Sequence, residues 1–448
     1  MRLSSRVATA AAVLGLALPM FRPVKAREGW RVASLRPLED DTPRARARAS
    51  QVIVQFRADT PEREVARLAR MAGGERARRS SFGHRYLVDL DAGFTPQDAV
   101  ARLSGLPEVQ YAEHNGRLHA FFRPNDTGFS AQWNFRMLDA ERTWDIQQGD
   151  PSVVVAVLDT GIAYEDFGPY RKAPDFGTTT FVPGFDFVNN DAHANDDNFH
   201  GTHVASVIGE STDNVEGVAG FAFRAALMPV KVLDQNGDGS FFDVAEGIDF
   251  AVRNPNVKVI NLSLGGESSS TTVRLAIDRA VAARITVVAA SGNDTGGPVS
   301  FPAALPNVIA VGAVDGRKQR ARYSNFGPEL DLVAPGGDNR RDDTGPDLVP
   351  DGRPDGILQQ TLDPDSAARG IYDDFGYFFV TGTSQATPHV AALAALLYHQ
   401  GITDPIAIKA VMEQTAQDLG ASGRDNEYGH GLIRPSIALK GLGLNLPF

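Results

Sequence analysis

The sequence has no cysteine in 448 residues. This absence excludes disulfide bridges, a thiol nucleophile and a lipid anchor attached through a cysteine. Long hydrophobic runs are also missing, since none reaches the roughly 20 residues that a membrane-spanning helix requires. We therefore expect no membrane span, and a stability that comes from a large packed core or from bound ions.

The N-terminus has the composition of an export signal. Arg2 and Arg6 precede an apolar run from Val7 to Met20, and Val24-Lys-Ala26 offers small residues suited to cleavage. We expect residues 1–26 to be a signal peptide and the protein to be secreted, either to the periplasm or to the medium. A buried helix is the alternative interpretation of this run.

Charge is unevenly distributed along the chain. The formal net charge is −11, yet residues 1–120 are basic and the remainder is acidic. An acidic body argues against nucleic acid as a partner, because binding to phosphates requires positive charge. The two parts could attract each other electrostatically, although solubility alone would also explain the acidity.

The first 135 residues divide into three further segments. Residues 27–50 are polar and rich in arginine, which predicts a flexible segment, and residues 121–135 have the turn-forming composition of a linker. Residues 51–120 alternate strand and helix patterns, which indicates a small α+β domain. Its predicted strands are Gln51–Arg57, His84–Leu90 and Val109–Glu113, and its predicted helices are Pro61–Ala72 and Thr95–Leu106.

Residues 136–448 show a different pattern, in which near-continuous Val/Ile/Leu/Ala runs alternate with helices. Such runs are typical of strands buried on both faces, so we predict an α/β fold with a mostly parallel sheet covered by helices. The predicted strands are Val153–Leu158, Ala226–Leu233, Val257–Leu264, Ile285–Ala290 and Val308–Val314. The predicted helices are Thr202–Gly209, Phe242–Val252, Thr272–Ala283, Ser384–His399 and Pro405–Leu419. The segment Gly336–Tyr377 is rich in Asp, Gly and Pro, and we expect a structured or ion-bound loop.

A carboxylate stands at the end of the first predicted strand of this region, at Asp159. Sites in open α/β sheets form at the carboxyl ends of strands. The tripeptide Asp-Thr-Gly also occurs at Asp126, Asp294 and Asp343, all in polar turns, so it does not identify an aspartic protease. Only Asp159 follows an apolar strand, where a half-buried carboxylate could pair with an imidazole.

Two histidines, His200 and His203, lie at the start of a predicted helix. One could act as a general base while the other is structural. A zinc site is disfavoured, because no third ligand is near and the pattern H-E-x-x-H is absent.

A serine and an asparagine complete the set of candidate catalytic groups. Ser384 follows a Gly-Thr turn at the start of a buried helix, where the unpaired N–H groups and the positive dipole end face whatever the serine attacks. A serine in this position suits acyl transfer when a histidine and an acid are also present. Asn293 ends another buried strand, and its amide could donate to a developing oxyanion, although a turn-forming asparagine is the alternative.

These motifs, in the order Asp, His, Asn, Ser, resemble those of the subtilisin-like serine peptidases, the subtilases. The resemblance extends from Gln132 to Leu439 and includes Ser263-Leu-Gly-Gly266 and Tyr428-Gly-His-Gly431. It implies a doubly wound, mostly parallel sheet and a secreted serine endopeptidase that acts on proteins or peptides through an acyl-enzyme.

The resemblance implies a role for each residue. Ser384 matches the nucleophile, His200 the general base, and Asp159 the residue that orients the imidazole. Asn293 matches the side-chain oxyanion donor, which works with the backbone N–H of Ser384. His203 matches a structural position.

Substrate-binding positions are implied in the same way. One wall of the pocket for the residue before the scissile bond would be Ser263, Leu264, Gly265 and Gly266, and the other would be Ala290, Ser291 and Gly292. The segment Leu233–Ser240, with Gly237 and Gly239, would pair with the substrate as an added strand. Gln385 stands where the family more often has Met, and Phe301-Pro302 resembles a family position with a cis peptide bond.

Residues 51–120 resemble the inhibitory propeptide of the family, which implies a ferredoxin-like domain that serves as intramolecular inhibitor and folding chaperone. Its maturation site would lie in the linker, between Arg117 and Asp126. Two alternatives stay open: a catalytically inactive binding module, and a processing peptidase that cuts a single partner protein.

The chemistry requires no cofactor, but a structural calcium ion is one interpretation of the acidic loops. Asp347, Asp351 and Asp355 in the insertion are candidate ligands, and so is Asp197 ahead of the histidine motif; solvated turns are the alternative. The segment Asp234–Gly239 resembles the start of an EF-hand, but loop position twelve is Ala245, so a substrate-side turn is preferred.

Overall fold

The computed structural model describes residues 50–116, 122–338 and 355–441. The first range belongs to one compact unit and the other two to a second. The predicted signal peptide, nearly all of the predicted flexible segment, and Asp347 and Asp351 lie outside the described residues.

The first unit contains a four-stranded antiparallel sheet with two helices. In chain order its elements are β1 (Gln51–Phe56), α1 (Glu62–Met71), β2 (Gly74–Arg79), β3 (Arg85–Leu90), α2 (Pro96–Leu103) and β4 (Val109–His114). The strand order is β2-β3-β1-β4. Alternate residues of β1 are buried against the helices, as the period of a half-buried strand requires. The α+β prediction is confirmed.

Strand β2 of this unit was not predicted from the sequence. The edge strand β2 reads GERARR, and only its glycine is buried. An edge strand with exposed polar side chains has no alternation of apolar and polar residues, so nothing in its sequence marks it as a strand. Thr95 caps the start of α2, since its hydroxyl accepts a hydrogen bond from the backbone N–H of Asp98 at 3.1 Å.

The second unit is built around a seven-stranded sheet with the order β11-β10-β9-β8-β5-β7-β6, in which every described strand pair is parallel. Its strands are β5 (Val154–Asp159), β6 (Phe185–Asp186), β7 (Ala226–Lys231), β8 (Val257–Leu262), β9 (Thr286–Ala290), β10 (Val308–Val314) and β11 (Leu332–Pro335). The five predicted strands are present. The other two, β6 and β11, have only two and four residues, too few to show a pattern.

Helices accompany this sheet, and the five predicted ones are present. The helices are α3 (Trp133–Met137), α4 (Ala140–Trp144), α5 (His200–Gly209), α6 (Phe241–Val252), α7 (Thr271–Ala282), α8 (Pro364–Ala367), α9 (Thr383–His399), α10 (Pro405–Thr415) and α11 (Pro435–Lys440). Within the insertion, β12 (Ile357–Leu362) and β13 (Phe375–Val380) form an antiparallel pair. No helix in the described ranges is long and apolar enough to cross a bilayer.

Helix α9 forms the centre of the core. It is buried on almost all sides and packs against β8, β9 and β10 and against α5. A helix that is apolar all around can only be an interior helix. Its position in the core therefore anchors the N-terminal turn, which carries Ser384.

The segment predicted as a linker, residues 121–135, packs into this unit over its described part. Gln132 and Phe135 are completely buried. The indole N–H of Trp133 donates to the carbonyl of Gly356 at 2.8 Å. The segment thereby contributes its large apolar side chains to the core.

Candidate active site

Asp159 is the last residue of the central strand β5, and its side chain is fully buried. Its Oδ1 atom accepts hydrogen bonds from His200 Nδ1 at 2.7 Å and from the Thr160 backbone N–H at 2.8 Å. Its Oδ2 atom is buried and has no protein partner within the described ranges. The aspartate thus holds the imidazole through a single oxygen and fixes the tautomer with the proton on Nδ1.

His200 is the first residue of α5, and Asp196 organises the start of this helix. The buried Asp196 carboxylate accepts hydrogen bonds from the backbone N–H of Thr202 at 2.9 Å, from the Thr202 hydroxyl at 2.6 Å and from the Thr160 hydroxyl at 2.9 Å. A carboxylate at a helix N-terminus also complements the helix dipole. Gly201 allows the close approach of helix and strand, since a Cβ there would lie 2.1 Å from the Gly161 carbonyl oxygen.

The environment of His200 adjusts its basicity. Burial would lower the pKa of His200, but the negative charges of Asp159 and Asp196 outweigh it, so the pKa is raised above its usual value. The other histidine of the motif differs: burial lowers the pKa of His203 to about 3, and its Nε2 lies 3.1 Å from the Ile357 carbonyl. A neutral, backbone-bound His203 fits the predicted structural role.

Ser384 lies in the first turn of α9, where it contacts the end of β8. Its Oγ atom donates to the Ser263 carbonyl at 3.1 Å, and its own carbonyl accepts from Ser263 Oγ at 2.8 Å. Across the described ranges, no hydrogen bond joins Ser384 Oγ to His200. The Ser384 hydroxyl is thus directed at the Ser263 carbonyl in this structure.

Asn293 is held by a residue that the sequence analysis did not identify. Its Oδ1 atom accepts from the backbone N–H of Thr383 at 3.0 Å and from the Thr383 hydroxyl at 2.9 Å. With the oxygen bound twice, the exposed amide directs its Nδ2 group away from Thr383, and that group has no acceptor in the described part of the chain. A donor held in this way beside Ser384 suits an oxyanion. The signal available in the sequence was the threonine of the Gly-Thr-Ser turn.

The two predicted pocket walls meet at one side chain, Ser300. A Cβ on Gly265 would lie 3.2 Å from Ser300 Cβ, and one on Gly292 would lie 2.3 Å from Ser300 Oγ. Gly266 exchanges two backbone hydrogen bonds with Phe301, at 2.8 and 2.9 Å. The peptide bond between Phe301 and Pro302 is cis.

The remaining predicted pocket residues occupy strand ends. Ala290 is the last residue of β9, and the Ser291 hydroxyl after it donates to the Asn325 carbonyl at 3.1 Å. Leu264 packs at the edge of the core after β8. Gln385, after the nucleophile, is buried, and its Nε2 is without a protein partner in the described ranges.

The segment that resembled an EF-hand is a closed turn. Asp234 Oδ1 accepts from the backbone N–H of Asn236 at 2.8 Å and of Asp238 at 3.0 Å, and Gly237 has a φ of 81°. Gly239 forms a bridge with Leu233. This segment leads directly into α6.

The predicted metal ligands occupy different surroundings. The Oδ1 atom of Asp197 accepts from the buried Lys231 Nζ at 2.6 Å. Asp355 is buried, whereas Asp347 and Asp351 lie outside the described residues. No group of three or more His, Cys, Asp or Glu side chains arranged to hold a metal occurs in the described ranges.

Among the other buried carboxylates, Asp126, Asp175 and Glu210 have pKa values that burial raises. Asp126, expected in a polar turn, is only 5% exposed, because the segment Thr212–Val218 covers it. Burial raises the pKa of Asp126 to about 7 and that of Asp175 to about 6, and it raises the pKa of Glu210 well above its usual value. The Oδ1 atom of Asp126 has no protein partner in the described ranges.

Comparison with known proteins identifies the family to which this constellation belongs. Residues 150–431 match the subtilase family, and residues 39–115 match the fervidolysin N-terminal prodomain. The chain is 34% identical over 385 residues to a thermophilic serine proteinase of Bacillus sp. strain AK1, a match that covers 85% of each chain.

Two further similarities agree with this assignment. The minor extracellular protease Epr of Bacillus subtilis is 31% identical over 352 residues, which cover 75% of this chain and 48% of the relative. A protease structure from Pseudoalteromonas arctica aligns with a TM-score of 0.61 and 31% identity, over 71% of this chain and 98% of that one. The chain therefore belongs to the subtilase family and is a subtilisin-like serine endopeptidase with an N-terminal prodomain.

Proposed function

We propose that Ser384, His200, Asp159 and Asn293 form the catalytic machinery and cleave peptide bonds through an acyl-enzyme. The contact of 2.7 Å between His200 Nδ1 and the buried Asp159 carboxylate carries the proposal, because it leaves Nε2 as the basic nitrogen. This nitrogen takes the proton of Ser384 Oγ as the serine attacks the carbonyl carbon. The same proton then passes to the leaving amine, and water releases the acyl group in a second cycle.

The oxyanion would be bound by two donors, the Nδ2 group of Asn293 and the backbone N–H of Ser384. Among the described residues, the Ser384 N–H has no hydrogen-bond acceptor, as is usual in the first turn of a helix. The Nδ2 group of Asn293 is preset by the two bonds that Asn293 Oδ1 accepts from Thr383. Because both donors are in place before the substrate binds, no reorganisation is needed as charge develops.

We further propose that the enzyme is secreted and processes itself. The match to a prodomain supports a precursor in which residues 51–120 inhibit the peptidase and assist its folding. The N-terminus supports export, because two arginines precede an apolar run there. The name of one relative, the minor extracellular protease Epr, describes that protein as extracellular. Cleavage between Arg117 and Asp126 would release the mature enzyme.

Replacement of the nucleophile tests both proposals. Ser384→Ala should leave the full-length precursor unprocessed, whereas Ser422→Ala, an exposed serine in a loop, should process normally. The wild-type enzyme should react with a fluorophosphonate probe, and Ser384→Ala should not. Normal self-cleavage by Ser384→Ala would contradict an intramolecular serine mechanism, and an unreactive wild type would favour an inactive binding module.

We propose a structural calcium ion at Asp126 and Asp175. Two buried carboxylates, one with an unpartnered oxygen, form the kind of oxygen-rich interior that a hard cation stabilises. Asn214 lies beside them: its Nδ2 group donates to Asp175 Oδ1 at 2.7 Å, and its Oδ1 atom accepts from the Glu216 backbone N–H at 3.0 Å. Calcium would supply the positive charge that compensates these buried carboxylates and would have no part in the hydrolysis.

The calcium proposal is tested by thermal unfolding with and without a chelator. Calcium should raise the melting temperature of the wild type and of Glu329→Gln, an exposed carboxylate elsewhere in the unit. The increase should be lost in Asp126→Asn. An equal increase in all three proteins would place the ion elsewhere, for example in the insertion that carries Asp355.

A further inference from the structure

Lys231 is a buried cation beside the proposed catalytic residues. It is the last residue of β7, and its side chain is 1% exposed. The ammonium group has three N–H donors, and the structure provides an acceptor for each. These acceptors are the Thr160 carbonyl at 2.7 Å, the Asp197 carboxylate at 2.6 Å and the Leu233 carbonyl at 2.8 Å.

Each acceptor belongs to a different functional segment. Thr160 directly follows Asp159, Asp197 precedes His200 by three residues, and Leu233 begins the segment proposed to pair with substrate. Thr160 and Asp197 precede Lys231 by 71 and 34 residues, whereas Leu233 follows it by two, so the charged group joins two remote segments to the end of its own strand. Lysines are rarely buried without a specific reason, because the charge must be compensated.

Thr160 transmits this anchoring to both members of the Asp-His pair. Its backbone N–H donates to Asp159 Oδ1 at 2.8 Å. Its hydroxyl donates to Asp196 and accepts from the backbone N–H of Gly201, both at 2.9 Å. A shift of the Thr160 peptide would therefore move the carboxylate and the first turn of α5 relative to each other.

We propose that Lys231 is a positioning residue of the active site, which holds the ends of these three segments in register so that Asp159 and His200 keep their geometry. The inference rests on the catalytic roles proposed above for Asp159, His200 and Ser384. A purely structural ion pair with Asp197 would account for one of the three bonds, whereas positioning depends on the two bonds to carbonyl groups.

Two substitutions separate these roles. Lys231→Met removes all three bonds and leaves the Asp197 carboxylate buried without its cation. Lys231→Met combined with Asp197→Asn removes the unpaired charge as well, but it does not restore the anchors at Thr160 and Leu233. If the lysine serves only as a counterion, stability and activity should recover together in the double variant.

A matched control is Lys409, which forms a similar arrangement at the amino-terminal ends of the strands. Its Nζ lies 2.7 Å from the Asp331 carboxylate and 3.1 Å from the carbonyl of Val308, the first residue of β10. Asp159 and Lys231 instead lie at the carboxyl ends of parallel strands, which is where sites form in open α/β sheets. Lys409→Met should therefore lower the melting temperature without slowing the chemistry.

The experiment measures melting temperatures and the second-order rate of fluorophosphonate labelling, which reports serine reactivity independently of an extended substrate. Precursor and processed forms are resolved on a gel, so that each variant is compared with the same form of the wild type. Lys231→Met should lower the melting temperature by roughly 5 °C or more. It should also slow labelling by roughly 10-fold to 100-fold, as expected for small misplacements of catalytic groups.

The double variant decides the outcome. We expect its melting temperature to return most of the way to the wild-type value while labelling stays at least about tenfold slower. Recovery of labelling together with stability would overturn the proposal, as would unchanged labelling in Lys231→Met. Failure of the double variant to fold would also overturn it, because the lysine would then be required for folding itself. An unlabelled wild type would instead refute the serine mechanism.

Discussion

Thr383→Val tests whether the orientation of Asn293 is preset by its neighbour. The substitution keeps the backbone N–H of residue 383 and replaces the hydroxyl with a methyl group, which also removes the longer bond of 3.3 Å that the hydroxyl accepts from the Gly292 backbone N–H. Asn293 Oδ1 then loses the bond of 2.9 Å from that hydroxyl and keeps the bond of 3.0 Å from the backbone. The amide remains in place but is less firmly held.

The expected magnitude follows from the bond count. One hydrogen bond contributes about 1 kcal/mol net, which corresponds to about fivefold in kcat if the loss falls on the transition state. Removal of the donor itself, in Asn293→Ala, should cost about 2.7–4 kcal/mol, the range measured for the oxyanion asparagine of subtilisin. This corresponds to a decrease of about 10²–10³ in kcat.

The assay is a double-mutant cycle on kcat with a peptide substrate. If Thr383 acts through Asn293, then Thr383→Val should have no further effect in the Asn293→Ala background. Thr387→Val serves as the control, because its hydroxyl donates to the Thr383 carbonyl at 2.7 Å within the same helix and does not reach Asn293. An equal fivefold loss in both backgrounds would show that Thr383 works independently of the amide and would refute the reasoning.

Two other predictions concern ionisation. Asp159→Asn should lower kcat by roughly 10⁴-fold, because the imidazole loses its fixed tautomer. It should also move the acid limb of the kcat/KM profile to lower pH, since the Asp159 charge helps to raise the pKa of His200; an unmoved limb would contradict that assignment. With chelator present, the buried Asp126 binds its proton more tightly in the folded state, where its pKa is about 7, than in the unfolded state. Its contribution to the free energy of unfolding is therefore fully present below about pH 4 and lost as the pH rises to about 7, a change of about 4 kcal/mol. Denaturant titrations should show this decrease in the wild type and a flatter profile in Asp126→Asn, and equal profiles would exclude the effect.

Burial of the main strands and the central helix was readable from local patterns. The run that ends in Asp159 and the Ala/Leu-rich run after Ser384 are apolar over many consecutive residues, and such runs are buried in almost any fold. The same signal placed Asp159 and Asn293 at the carboxyl ends of buried strands. His200 and Ser384 were predicted from their positions at helix starts, and the resemblance to the subtilases implied the four roles.

Asp126 shows where this reasoning ends. Its local sequence is that of a polar turn. Its side chain is nevertheless buried, because the segment around Asp213, 87 residues further along the chain, packs over it and donates a backbone hydrogen bond to it. Thr383 and Lys231 are similar cases, because their importance depends on partners brought together by the fold. Strand β2 shows the same limit for secondary structure, as its pairing with β3 rather than its own composition makes it a strand.

The sequence by itself determined the fold class, the order of the candidate catalytic motifs and the absence of disulfides. These properties depend on residue type and on short-range periodicity. The tertiary structure alone decided which side chains form hydrogen bonds or ion pairs with one another. Such sharing depends on distances of about 3 Å between segments that are remote in the chain, and no local pattern encodes those distances.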